Sequence, residues 1–346
     1  MSRCTHVPAR TPALVLASVA AATLVVAACG SGAAETGAES TEAGGLSADV
    51  INLDYAYYNP ASLVLRDQGL IEAAVGEDVE VTWTLSAGSN KANEALRGSV
   101  IDFASTAGAA ALVARANGSP IKTVDVLGLP EWGAVVVGAD SPIDSVEGLR
   151  GATIAATIGT DPYFFLLQTL ADAGLSAADV EVVNLQHADG RTALVRGDVD
   201  AWAGLDPIMA DAELTDGATL LARDPSRLSY SVLNTREDFL AEHPDVVELV
   251  LTQYQVARDW IAENPDETAA LLAKESGVDL AVAKKVLTER TDLSVDRVPG
   301  DDLRAVLERI IPIVVAEDQV SDEDTATAAL DSLFAPEPVS SLARAR

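Results

Sequence analysis

The chain has 346 residues with 53 acidic against 23 basic side chains, a net charge of −30, which makes nucleic acid and anionic membrane surfaces poor partners. Its only cysteines are Cys4 and Cys29 and its only histidines are His6, His187 and His243. Beyond residue 29 this excludes a disulfide, a thiolate nucleophile and a cysteine metal site, and leaves too few histidines for a metal cluster.

In chain order, residues 1–28 read as a leader. Arg3 and Arg10 give it a basic start, and residues 13–28 form an apolar run too short and too alanine-rich for a membrane span. The run ends in Val26-Ala27-Ala28-Cys29, which resembles a bacterial lipobox, with Cys29 as the lipidated first residue of the mature protein. Residues 29–48 are Gly, Ala, Ser, Thr and Glu with almost nothing to bury, a flexible tether. Without the two leader arginines the net charge of −30 becomes −32.

A first lobe is expected over 49–139. A strand at 50–53 runs into Tyr55, Tyr57 and Tyr58, a wall suited to a ligand. Asn59-Pro60 then supplies a helix cap and a proline at the first helical position. A strand at 79–84 leads through Ser86-Ala87-Gly88-Ser89-Asn90 into a helix, and a strand at 101–104 leads through a Ser105-Thr106 turn into an alanine-rich helix. Each such turn delivers small hydroxyl residues and free N–H groups to a helix N-terminus, which suits a carboxylate, sulfonate or phosphate-like group. Strands at 121–127 and 133–138 flank Leu129-Pro130-Glu131-Trp132, and the first crossing to a second lobe is expected at Ala139-Asp140.

The second lobe, 140–227, holds a strand–helix–strand–helix–strand run, the pattern of a parallel α/β unit with ligands beyond the strand ends. Gly159-Thr160 opens its first helix, with Asp161 as the expected cap ahead of Pro162 and Tyr163, and Gly174 as the stop. Trp202 lies in the third strand, where a ligand wall and a packing role both fit. The return crossing is expected near Ser226-Arg227, and 228–334 should rejoin the first lobe, mostly as helices. The clearest begins at Pro244, with Val247, Val250, Leu251, Tyr254, Ala257 and Ile261 at the 3.6-residue period. Residues 335–346, rich in Pro, Ser and Ala, are expected to be a loose tail.

The segments SAGSNKANEALRGSVIDFAST (86–106), SPIDSVEGLRGATIA (141–155), HADGRTALVRGDVDAWAGLDP (187–207), HPDVVELVL (243–251) and NPDETAALLA (264–273) together resemble the aliphatic-sulfonate, taurine and nitrate group of ABC-transporter substrate-binding proteins, over residues 50–287. The resemblance implies an α/β, two-lobe, type II periplasmic-binding fold. Each lobe would be a mixed, mainly parallel sheet flanked by helices, with two crossing strands as the hinge. It places ligand contacts on Gly88, Ser89, Ser105, Thr106, Gly159 and Thr160, with Asp206 in the hinge segment Leu205-Asp206-Pro207. The chain departs from the group at Leu205, where an aromatic is common, at Ala109, where an acid is common, and at Asp161, where a neutral polar residue is usual.

The function expected from this is a lipid-anchored, extracytoplasmic receptor that clamps a small anionic solute and passes it to a permease, as a monomer and without a cofactor. Tyr57, Tyr58, Trp132 and Tyr163 would wall the site. A neutral or cationic heterocycle is the alternative ligand, with Asp161 or Glu131 as counter-charge and the tyrosines as stacking faces. Some relatives of the fold are enzymes, but the chain has neither a G-x-S-x-G elbow nor a pair of histidines suited to hydrolysis.

Overall fold

The computed structural model describes residues 45–344; the leader, Cys29 and the tether as far as residue 44 lie outside the described residues. Local chemistry sets the first elements. β1 (Val50–Tyr55) runs to a turn, and Asn59 caps α1 (Pro60–Gln68) by accepting from the Ser62 N–H. Gly69, at φ 61°, closes that helix in the left-handed region. Next come α2 (Leu70–Val75), β2 (Glu80–Leu85), α3 (Ser89–Arg97), β3 (Phe103–Ala107), α4 (Gly108–Ala116) and β4 (Ile121–Pro130).

The second lobe comprises β5 (Gly133–Val137), β6 (Thr153–Ala156), α5 (Asp161–Asp172), β7 (Glu181–Asn184), α6 (His187–Arg196), β8 (Ala201–Leu205), α7 (Ile208–Thr215) and β9 (Thr219–Ala222). The chain then returns through β10 (Ser231–Arg236), α8 (Glu237–Glu242), α9 (Pro244–Glu263), α10 (Pro265–Ser276), α11 (Leu280–Glu289), β11 (Thr291–Asp292), α12 (Asp301–Ala316), α13 (Glu323–Leu333) and α14 (Glu337–Arg344).

Two sheets result, ordered β11-β4-β10-β3-β1-β2 and β7-β6-β8-β5-β9. β6 pairs parallel with both β7 and β8, the parallel α/β unit expected from its strand–helix alternation. β5 pairs antiparallel with β8 and β9, so it belongs to the second lobe. The first crossing is therefore at Glu131-Trp132, one strand earlier than Ala139-Asp140. The physical reason is burial: Val135, Val136 and Val137 are covered from both faces of the second sheet, whereas Gly138–Pro142 is only the turn leaving β5. The return runs through 223–230, between β9 and β10.

The α9 stripe is buried throughout at Val247, Val250, Leu251, Tyr254, Ala257 and Ile261, each large aliphatic member contributing about 1.5–3 kcal/mol. Behind the crossings, one apolar cluster joins Leu112 of α4, Leu307 of α12 and Leu330 of α13 to Val135, Ile154 and Phe164 of the second lobe. The lobes thus share a core on the hinge side. Both expectations of looseness within the described residues are corrected. Ser47 donates its N–H to Asp245 at 2.8 Å and Ala48 is buried, docking the end of the tether at the start of α9. The expected loose tail instead forms α14, whose Val339 packs into the α9 cluster.

Candidate functional site

Asp161 begins α5 but is not its cap: the N-cap is Thr160, whose side chain accepts no bond from the helix, and the Thr160 carbonyl receives the Tyr163 and Phe164 N–H groups. The Asp161 carboxylate turns to the hinge. It accepts from Trp132 Nε1 at 2.9 Å, from the Ser229 N–H at 2.8 Å and from the Ser229 hydroxyl at 2.7 Å. The Ser229 hydroxyl in turn accepts from the Ala109 N–H at the start of α4, at 3.1 Å. Trp132 lies in the outgoing crossing and Ser229 in the return, so one buried carboxylate ties both crossings and α4 to α5. Burial raises its pKa against these three hydrogen bonds.

Hydroxyls of the expected turns are spent inside the protein. Ser105 and Thr106 lie in strand β3, not in a turn, because β10 pairs with that strand through Ala107. The Ser105 N–H and hydroxyl donate to Asp54 at 2.9 and 3.2 Å, and its carbonyl accepts from the Tyr58 hydroxyl at 3.1 Å. Thr106 Oγ1 accepts from Asn234 Nδ2 at 2.7 Å. Ser89 Oγ accepts from the Ala107 N–H at 3.0 Å, and Thr160 Oγ1 donates to the Thr157 carbonyl at 2.6 Å. Below Ser105, burial lifts the Asp54 pKa to about 7.

Asp206 is also committed. It accepts from the Ala210 N–H at 2.8 Å and pairs with Arg290 at 3.2 Å, and Arg290 also bonds Glu213. Burial pushes its pKa to about 6, with the Arg290 guanidinium opposing. Glu131, the other expected counter-charge, forms a two-point pair with Arg223. Trp202 is 1% exposed and packs on Gly190, where an added Cβ would lie 2.7 Å from the indole; it is core. Tyr163 is buried at the hinge-side core. Tyr58 and Trp132 meet edge to face with centroids 5.9 Å apart. Tyr57 faces a cleft of about 530 Å³ between the lobes, opposite Ala188, Arg191 and Thr192 of α6.

What the fold brings together across the lobes is a seam of helix ends. A Cβ placed on Gly88, the N-cap of α3, would stand 3.3 Å from His187 Nε2 at the start of α6 and 2.9 Å from Asn90 Oδ1. A Cβ on Gly159, at φ +83° just ahead of α5, would stand 3.6 Å from Asn90 Cβ. The N-termini of α3, α5 and α6 therefore meet here, each with first-turn N–H groups that a helix cannot satisfy internally. Lys91 in α3 is paired with Glu94, and Arg191 in α6 with Asp211 and Asp216, so the positive potential at the seam comes from the helix ends.

Three residues here were not expected. Among the described residues, Asn90 Oδ1, Gln186 Oε1 and both ring nitrogens of His187 are buried without a hydrogen-bond partner. Burial lowers the His187 pKa to about 3, so the ring is neutral. Their sequence signal is slight: Asn90 and His187 sit inside the segments that carried the resemblance, but nothing in one sequence separates them from neighbouring polar residues. Among the described residues no group of three or more His, Cys, Asp or Glu side chains could hold a metal.

The chain and its fold have counterparts. A family model described as NMT1/THI5 like matches residues 75–268. A provisionally named aliphatic sulfonates-binding protein of Bacillus subtilis is 27% identical over 276 residues, 78% of this chain and 79% of that one. The riboflavin-binding protein RibY of Chloroflexus aurantiacus is 30% identical over 200 residues, 55% of this chain and 56% of RibY. The alkanesulfonate-binding protein SsuA from Xanthomonas axonopodis pv. citri, solved bound to MOPS, superposes with a TM-score of 0.74 at 23% identity, covering 81% of this chain and 97% of SsuA. The two-lobe periplasmic-binding-protein fold is thus shared, and with more than half its length matched by the family model the chain belongs to the NMT1/THI5-like family.

Proposed function

We propose that the chain is a non-enzymatic solute receptor of an ABC importer, held outside the cell membrane by lipid on Cys29, acting as a monomer and delivering its ligand to a permease. Its solute is a small organic anion of the sulfonate type, or a nitrate-like ion. The observation that carries this reading is the meeting of three helix N-termini across the lobes; the sulfonate ligands named for two relatives support it. The backbone turns at Gly88, Ser89, Gly159 and Thr160 present the anion-binding N–H groups. Tyr57 walls the cleft with Tyr58 and Trp132 behind it, Tyr163 packs in the hinge-side core, and Ser105, Thr106, Asp161 and Asp206 hold those turns and the hinge from behind.

Magnitudes fit this division. Micromolar binding needs about −8 kcal/mol, and three helix ends at about 1 kcal/mol each supply roughly 3. The remainder has to come from polar contacts and from closing the walls over the solute. Calorimetry with ethanesulfonate, nitrate and riboflavin tests the ligand class, and heat with either anion is expected. Binding of riboflavin alone would favour the second reading, a heterocycle receptor, which the RibY relative supports. Turnover of any ligand would overturn the non-enzymatic role. Cys29→Ser should move the protein from the membrane to the soluble fraction, and retention would place the anchor elsewhere.

A further inference from the structure

We propose that His187 and Asn90, on opposite faces of the seam, form a recognition pair for a hydrogen-bond donor (a hydroxyl or amine) carried by the solute beside its anionic group. This rests on the receptor reading above and deepens it. His187 is the first residue of α6 and 1% exposed, yet neither ring nitrogen has a partner among the described residues. Buried polar atoms in folded proteins are nearly always paired, so an imidazole and an amide oxygen left open at one place point to something that reaches them.

The direction they face is set by Gly88. One Cβ position on that residue would lie 2.9 Å from Asn90 Oδ1 and 3.3 Å from His187 Nε2, so the two atoms flank the same α-carbon, one from each lobe. The imidazole is held on a rigid element, because α6 is seated on Trp202 at Gly190 with no room for a side chain. The Ala203 carbonyl of β8 is the backbone group that acts on the ring, and it favours a proton on the nitrogen turned to it. With the ring neutral and its proton turned to β8, Nε2 offers a lone pair to the seam, as Asn90 Oδ1 does. Gln186 Oε1, one residue before His187, is a third open acceptor.

As they are turned here, two uncharged acceptors match a donor better than a bare oxyanion. The anionic group then belongs at the Gly159-Thr160 end of the seam, and the donor at the Gly88–His187 end. The pair selects the bifunctional solute, because a solute without the donor leaves both acceptors buried and unpaired.

The test is calorimetry on the full chain with three probes of one size class: ethanesulfonate, 2-hydroxyethanesulfonate and 2-aminoethanesulfonate. The wild type should prefer at least one donor-bearing probe over ethanesulfonate by about tenfold or more, the scale of one well-made polar contact. His187→Leu and Asn90→Ala should each bring that ratio toward one. Asn90 is half-buried, so its variant keeps the test open should His187→Leu unfold. Equal binding of all three probes by the wild type, or variants that weaken them in proportion, would overturn the pair while leaving the receptor reading intact. Failure of every sulfonate and of nitrate to bind would overturn the receptor reading and the pair together.

Discussion

Two regions of the molecule use the same kinds of residue to opposite ends. At the hinge, Asp161 has three donors for its two oxygens, and Ser229 links it onward to α4. At the seam, the ring nitrogens of His187 and the amide oxygens of Asn90 and Gln186 are as sheltered from water and have no hydrogen-bond partner among the described residues. Both lie at helix starts. A helix start rich in polar side chains therefore identifies a ligand site only after its hydrogen bonds are accounted for: the satisfied group shapes the fold, and the open one faces the solute.

The largest effect that would sharpen this contrast is on stability. Asp161→Ala leaves the Trp132 indole N–H and the Ser229 N–H and hydroxyl without an acceptor, at about 1–3 kcal/mol for each buried donor. A loss of about 3 kcal/mol or more is expected in urea denaturation, against less than about 1 kcal/mol for Asn90→Ala, which strands nothing. Equal losses would erase the distinction between clasp and seam.

The pH profile separates the two lobes next. Folding raises the Asp54 pKa from 3.8 to about 7. Between those values the folded chain keeps a proton the unfolded chain has lost, and stability falls as pH rises. Folding lowers the His187 pKa from 6.5 to about 3, so over that window the unfolded chain holds the extra proton and stability falls as pH drops. Each contributes a slope of about 1.4 kcal/mol per pH unit, and between pH 3.8 and 6.5 they cancel. Relative to wild type, Asp54→Asn should gain stability on going from pH 5 to pH 7, and His187→Gln should lose it. Difference profiles of the same sign would show that one of the two groups is not buried as described.

A smaller effect distinguishes two glycines of the seam. Gly159 lies at φ +83°, so alanine there costs about 1 kcal/mol of backbone strain. Gly88 is in extended backbone, and alanine there should leave stability nearly unchanged while pressing on Asn90 and His187. Gly88→Ala should therefore weaken solute binding about tenfold with little change in melting temperature, and Gly159→Ala should lower both. A Gly88→Ala protein that binds like wild type would move the ligand away from the seam.

Much of the fold could be read from local chemistry. Asn59-Pro60, Gly174 and the α9 stripe act within a turn or two of themselves, and they form the elements their residues favour. The crossing at Glu131-Trp132 was hidden because Gly138–Pro142 is richer in turn formers, while the membership of β5 is decided by β8 and β9 far along the chain. Ser105-Thr106 misled for the same reason: its strand state depends on pairing with β10, more than a hundred residues later. Gly88 and Gly159 were legible through the family resemblance, and only Gly159 has a backbone that requires glycine. The open nitrogens of His187 were not, since a missing hydrogen bond is a property of the whole assembled neighbourhood.

An anion is expected to dock where α3, α5 and α6 begin. A crystal structure of the chain with a bound alkanesulfonate checks this. The expected result has the sulfonate oxygens within hydrogen-bond distance of first-turn N–H groups at that seam, with the Asp161 clasp unbroken. A sulfonate bound elsewhere, or one that draws Trp132 and Ser229 away from Asp161, would contradict it.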